Sequence, residues 1–239
     1  MTTEYKKGSL LKRTSAFLLD GIILLIVAVG FAFLLANVMG YRQHIDTYTS
    51  GIERYADKYD VKFDQIVSQE DYEALEPATK ARYEAAVEAM NSDMEILGAL
   101  SALIRIIITV TALSLFLGFL ILEFIVPLLL KNGRTLGKKG FGLAVVKKDG
   151  SDVTVVSLIL RTFVGKYLIE TMIPVLLILI TIFNAIGIMN GPGIVGFAII
   201  FILMIANVAL LFVTKSSSMI HDLVSDTVVI ENETPGSVY

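Results

Sequence analysis

The sequence predicts an all-α integral membrane protein: four transmembrane helices, a helical extracytoplasmic insertion and a short cytoplasmic β-hairpin. Three observations predict it. Of 239 residues, 55% are hydrophobic and only 18% charged, with a mean hydropathy of +0.72; a soluble domain is nearer half apolar and a quarter charged. The apolar residues fall in four blocks of about 20, the length a helix needs to cross a bilayer. The charges between the blocks are segregated by sign. This composition excludes an ordinary soluble enzyme and a disordered chain. With no cysteine and two histidines, a disulfide framework, a thiolate metal site and a Cys nucleophile are excluded, and little is left for zinc or haem. No cofactor is expected.

The first unit, residues 1–40, carries Lys6, Lys7, Lys12 and Arg13 ahead of an apolar run from about Leu18 to Met39. That run is longer than a signal-peptide core and lacks a small-residue cleavage site, so it reads as an uncleaved first span. Residues 41–104 follow as an acidic insertion with six basic residues against thirteen acidic ones. Ser68 with Asp71 three residues on reads as a capping box. Pro77 suits the first turn of a helix, and the run to Met90 consists of strong helix formers that could continue into the second span. Six tyrosines (Tyr41, Tyr48, Tyr55, Tyr59, Tyr72 and Tyr83) give this segment an aromatic side. Two readings stand: a small cap packed on its own rings, or a surface for a cationic ligand or protein partner. Asp57, Asp60 and Asp64 lack the calcium-loop spacing and read as a solvated face.

The second span, 105–130, contains Glu123. The loop 131–166 carries eight basic residues against Asp149 and Asp152 alone. Basic flanks mark the cytoplasmic side. Both termini are therefore expected inside a cell membrane, with the acidic insertion outside. The loop's Gly133-to-Lys139 stretch lacks the phosphate-loop spacing. Arg134, Lys138, Lys139, Arg161 and Lys166 are instead expected to meet anionic headgroups, each worth about 1 kcal/mol, or to make contacts within the motif. Leu143 to Val146 and Val153 to Val156 flank Asp149-Gly150, which predicts a hairpin. From Ser157 an amphipathic helix leads to the third span. Residues 167–214 form a transmembrane hairpin with Glu170, Pro174 and Asn207. Its turn runs from Gly187 to Pro192, and its glycines serve that turn or close helix packing. Pro174 leaves a carbonyl unpaired, which predicts a kink. Residues 215–239 form a cytoplasmic tail. Net charge is −3, and basic residues beside apolar spans point to a bilayer, not a nucleic acid.

The stretch Asn132-Gly133-Arg134-Thr135-Leu136-Gly137-Lys138-Lys139, with Leu160-Arg161-Thr162 beyond it, resembles the inner loop of the RDD family of membrane proteins. Arg13-Thr14-Ser15-Ala16-Phe17-Leu18-Leu19-Asp20 resembles that family's opening motif, and His221-Asp222-Leu223-Val224-Ser225-Asp226-Thr227 its closing one. The resemblance implies that Arg13, Asp20 and Asp222 are the arginine and two aspartates of the family's name. One departure stands out: Ser225-Asp226 occupies the place where the pattern usually has small residues, often Ala-Gly. The resemblance implies a multi-pass membrane protein, with transport as one expectation and no common activity.

The orientation sharpens this. Arg13 and Asp20 are seven apart and share a helix face. Asp20, Glu123, Glu170 and Asn207 each lie in the cytoplasmic half of a different span. Charges in lipid are costly and face the bundle interior in pairs. The group is either an ion-pair network that locks the helices together or a cation or proton site open to the cytoplasm. Four spans make a thin wall, so a transporter would be a homo-oligomer. The other class is a non-transporting module that organises anionic lipids or partner proteins. No enzyme is expected, since no nucleophile–base pair is present; His221-Asp222 reads as a helix cap or a partner of Arg13.

Overall fold

A computed structural model describes residues 6, 8–66, 68–130, 133–188, 193–214 and 218–231. Lys7, Lys131, Asn132, most of the expected Gly187–Pro192 turn and the tail beyond 231 lie outside the described residues. The chain divides into two compact units: residues 33–110, and residues 1–32 with 111–239.

Among the described residues, three helices are long and apolar enough to cross a membrane: α1 (Leu10–Val38), α5 (Met94–Leu130) and α7 (Val155–Ala185). A further apolar helix, α8, spans Gly193–Val213. Between α1 and α5 lie α2 (Tyr41–Tyr59), α3 (Gln69–Glu73) and α4 (Pro77–Asn91). Beyond α5 come α6 (Leu136–Gly140), β1 (Leu143–Lys147), α7, α8, α9 (Ile220–Val224) and β2 (Thr227–Glu231).

In the unit 33–110, the capping box forms as the sequence requires. The Ser68 side chain accepts from the Asp71 N–H, and Asp71 returns a bond to the Ser68 N–H at 2.9 Å. Pro77 opens α4. The helix does not continue into α5, however. It stops at Ser92, because Asp93 caps the next helix by accepting from the Glu95 N–H at 2.8 Å. Asp93 also binds Arg54 and the Tyr55 hydroxyl. The aromatic side is partly internal: Tyr55 stacks on Tyr59, and Tyr83 packs on Phe63 and Tyr72. Asp60 pairs with Arg82.

In the other unit the expected hairpin does not form. Its turn does: Gly150 takes φ +85° and donates to the Lys147 carbonyl at 2.9 Å. The ladder ends after one bridge, Val146 to Asp152. Thr154 then caps α7 by accepting from the Ser157 N–H at 3.2 Å, so Val155 and Val156 become helical. β1 pairs instead with β2, antiparallel, Leu143 opposite Glu231 and Lys147 opposite Thr227. The N-terminal segment joins them: the Gly8 N–H donates to the Val229 carbonyl at 3.2 Å and Glu231 N–H to the Lys6 carbonyl at 2.9 Å. Leu143, Val145 and Val229 pack on Ala16 of α1.

Both α5 and α7 widen locally into π-helix, at Leu120–Ile125 and Leu160–Met172. The cause is readable in the chain. Pro127 and Pro174 each lack the N–H that would bond four residues back, at Glu123 and Glu170, and the ring crowds that carbonyl. Just before each proline the ladder shifts by one residue. The Val126 N–H donates to Ile121, and Ile173 N–H to Leu168. Such segments frequently accompany functional side chains. Here they carry Glu123, Arg161, Lys166 and Glu170.

Candidate functional site

The polar groups of this unit converge where the start of α1, the α6 loop, the π segments and α9 meet. Asp222, fully buried, is the hub. It forms an ion pair with Arg161, receives Arg13 Nη2 at 3.4 Å and accepts from the Met219 N–H at 3.1 Å. It thus caps α9 and binds Arg13 at once. Burial pushes its pKa up, but Arg161, the Met219 N–H and Arg13 outweigh that and hold it well below the usual carboxylate range. Arg161 also donates to the Thr227 hydroxyl, which bonds with Ser225 Oγ at 2.8 Å.

His221 bonds twice to Glu170. Its backbone N–H donates at 3.0 Å and its Nδ1 lies 2.8 Å from Glu170 Oε2. Burial lowers the imidazole pKa, against the pull of Asp222, so the ring is neutral at pH 7 and Nδ1 carries the donated proton. This contact needs Gly165: a Cβ there would lie 2.5 Å from His221 Cα. Glu123 pairs with Lys166, and the Thr162 hydroxyl donates to the Glu123 carbonyl at 2.8 Å. That is the carbonyl Pro127 leaves without its usual partner.

Asp20 is held by the loop. The Thr135 hydroxyl donates to Oδ2, the Gly137 N–H donates to Oδ1 at 2.7 Å, and Lys138 Nζ stands 3.8 Å away. Gly137 is required here too, since a Cβ would come within 2.3 Å of the Ala16 carbonyl. Lys138 is buried. Burial, with Lys166 and Arg161 nearby and against the pull of Glu123 and Asp20, brings its pKa down to about 7.

Asp20, Glu123, Glu170 and Asn207 all line one cavity of about 390 Å³, together with Lys166, Thr171 and apolar side chains of α1, α5 and α8. The Asn207 carbonyl oxygen accepts from the Ile220 N–H at 3.2 Å. A second, smaller cavity of about 40 Å³ is lined by Arg13, Asp20, Lys138, Arg161, Lys166 and His221. Arg13, Arg161 and Asp222 therefore stand together, while Asp20 joins them only across this smaller cavity.

The five basic residues expected at headgroups separate. Lys139 is exposed and Arg134 half-buried. Lys138, Arg161 and Lys166 are buried beside carboxylates, so they stand as contacts within the motif and not at headgroups. The spacing argument passed over Thr135, Thr162, Gly165 and Thr227. Thr135 and Thr162 lie inside the quoted motifs, but nothing in a hydroxyl's sequence position says which carboxylate it meets. In the unit 33–110, Tyr72, Tyr83, Glu84 and Glu88 line an open groove. Among the described residues no group of three His, Asp or Glu side chains converges as metal ligands.

A family model described as the RDD family matches residues 7–226. No curated protein and no solved structure matches the chain. The matched region holds all three motifs and the whole charged cluster, and on that match the chain belongs to the RDD family.

Proposed function

We propose that this is a four-span cell-membrane protein that couples protons to a small cation through the larger cavity, with the sheet on the cytoplasmic side. The observation that carries the reading is the convergence of Asp20, Glu123, Glu170 and Asn207, one from each apolar helix, on one cavity wall. An ion-pair lock alone needs no cavity of 390 Å³ beside it. The cluster is charge-balanced: Arg13, Lys138, Arg161 and Lys166 stand against Asp20, Glu123, Glu170 and Asp222, with His221 neutral. Lys138 is the member whose charge changes near pH 7. When it loses its proton, Asp20 loses its nearest ammonium, and a cation drawn from the cavity restores the balance. When Lys138 regains the proton, the cation is expelled. Proton and cation thus exclude each other at one carboxylate. A complete transport path would need a second copy of the chain.

The test is thermal stability of purified protein in detergent, scanned over sodium, potassium, lithium and calcium above and below pH 7. A ligand that binds only the folded state raises the melting temperature by mass action. The expected result is a rise for one cation that is larger above pH 7 and lost in Asp20→Asn. The absence of any cation effect on folded wild type overturns the proposal.

A second reading, a lipid-organising module, has its own support: Lys139 is exposed between Leu136 and Phe141, which are also exposed. It requires anionic-lipid binding that weakens in Lys139→Gln and shows no cation dependence.

A further inference from the structure

The smaller cavity has the opposite character from the larger one. Its charged lining is Arg13, Lys138, Arg161 and Lys166 against one carboxylate, Asp20. Asp20 accepts from the Thr135 hydroxyl and the Gly137 N–H. The His221 Nδ1 is occupied by Glu170. Arg13 and Arg161 share one carboxylate, Asp222, so together they hold a surplus positive charge.

Each arginine also keeps an unused arm. The Arg13 side chain is 9% exposed and the Arg161 side chain 3%. Arg13 Nη1 and Arg161 Nη2 are both buried with no hydrogen-bond partner. A buried donor left unpaired is destabilising, the more so when charged. Both arginines line this cavity, and two unpaired cationic donors call for an acceptor. Paired guanidinium forks match the oxygens of a tetrahedral phosphoryl group better than a single-atom anion. The cavity of about 40 Å³ has room for about three waters, so any occupant is small. The remaining wall is apolar, from Phe17, Leu143, Met219 and Val229, and Phe17 is 54% exposed on α1.

We propose that this cavity binds one phosphoryl anion, a phosphate monoester or inorganic phosphate, gripped between the free arms of Arg13 and Arg161. Lys138 and Lys166 add charge without needing to touch it. The arginine of the family motif then has a ligand-binding task besides its contact with Asp222. The two cavities share Phe17, Asp20, Lys166 and Met219, but this inference rests on the arginines and is read with an anion instead of a cation.

The experiment uses the full chain in phosphatidylcholine nanodiscs. Binding is read by melting temperature and by native mass spectrometry, with inorganic phosphate in one arm and phosphatidic acid doped into the disc in the other. Arg161 variants break a fully buried pair and are poor probes of binding. Arg13→Lys keeps a cation beside Asp222 and removes the second arm; Arg13→Gln removes both. The expected result is stabilisation by one or both ligands, weakened roughly tenfold or more in Arg13→Lys, as for one charge-assisted hydrogen bond, and further in Arg13→Gln. A response to inorganic phosphate identifies a free anion as sufficient. A response to phosphatidic acid alone identifies a lipid headgroup. If neither ligand shifts folded wild type, the arms bind water and the proposal falls. It falls equally if binding persists unchanged in both folded variants.

Discussion

At the scale of single residues, the cluster divides into groups that lock and one that titrates. Removing one member of a buried pair such as Arg161–Asp222 leaves an uncompensated charge and costs about 3–5 kcal/mol. Lys138 differs because its partners hold it less closely: its Nζ donates to the Thr135 hydroxyl at 3.3 Å and lies 3.8 Å from Asp20. Its pKa falls from 10.5 in the free side chain to about 7 when folded. Below pH 7 both states carry the proton and the folded state bears the full penalty of a buried charge. Between about 7 and 10.5 the folded state has released the proton and the unfolded state keeps it, so stability rises with pH. The slope for one proton is about 1.4 kcal/mol per pH unit. Difference curves between wild type and Lys138→Met should show that slope across this window and flatten below it; parallel curves would mean Lys138 does not titrate there. The closing motif is also legible at this scale. Asp226 takes φ +53°, a left-handed position that favours glycine and tolerates aspartate. The departure from the usual Ala-Gly therefore keeps the turn, and Asp226 adds a surface pair with Lys148 at 2.9 Å.

At the scale of elements, the two π segments show what a sequence reveals and what it hides. Glu123 and Pro127, and Glu170 and Pro174, repeat one spacing, which fixes where the helical ladder must shift. The partner of the freed carbonyl is hidden, because Thr162 lies 39 positions from Glu123. The hairpin failed for the same kind of reason. β-branched runs on either side of Asp149-Gly150 specify strands and a turn, but β1 found an equally β-branched partner at Thr227–Glu231. Close approaches at Gly137 and Gly165 were invisible too, since nothing local distinguishes them from the open Gly140. The charged residues were legible, because a carboxylate in an apolar run has to face inward. The carbonyl bond gives a sharp prediction. Thr162→Val leaves the Glu123 carbonyl unpaired and should cost about 1–3 kcal/mol. Pro127→Ala supplies an N–H to the same carbonyl, so in that background Thr162→Val should cost clearly less. Chemical denaturation of the four proteins in detergent measures the cycle, and strict additivity would show that Thr162 does not act through this carbonyl.

At the scale of the whole molecule, the sheet constrains the path of the chain through the bilayer. Residues 6–8, β1 and β2 hydrogen-bond to one another. The N-terminal flank, the loop after α5 and the segment after α9 must therefore lie on one side of any membrane. An even number of crossings separates the first two, and another even number the last two. If α1, α5, α7 and α8 each cross, as proposed above, the count is four. The excess of basic residues in the loop supports the proposed cytoplasmic placement of the shared side. The chain contains no cysteine, so single introduced cysteines report this directly. Lys6→Cys, Lys148→Cys and Asp226→Cys should react with a membrane-impermeant maleimide only after the cells are opened. Lys58→Cys, in α2 of the acidic unit, should react in intact cells. Labelling of Lys148→Cys and Asp226→Cys from opposite sides cannot coexist with the β1–β2 pairing. Labelling of Lys58→Cys and Lys148→Cys from the same side would mean that neither α1 nor α5 crosses, since the sheet allows only an even number of crossings between residues 6–8 and β1, and the carboxylate cavity would then lie outside the bilayer that makes its charges costly.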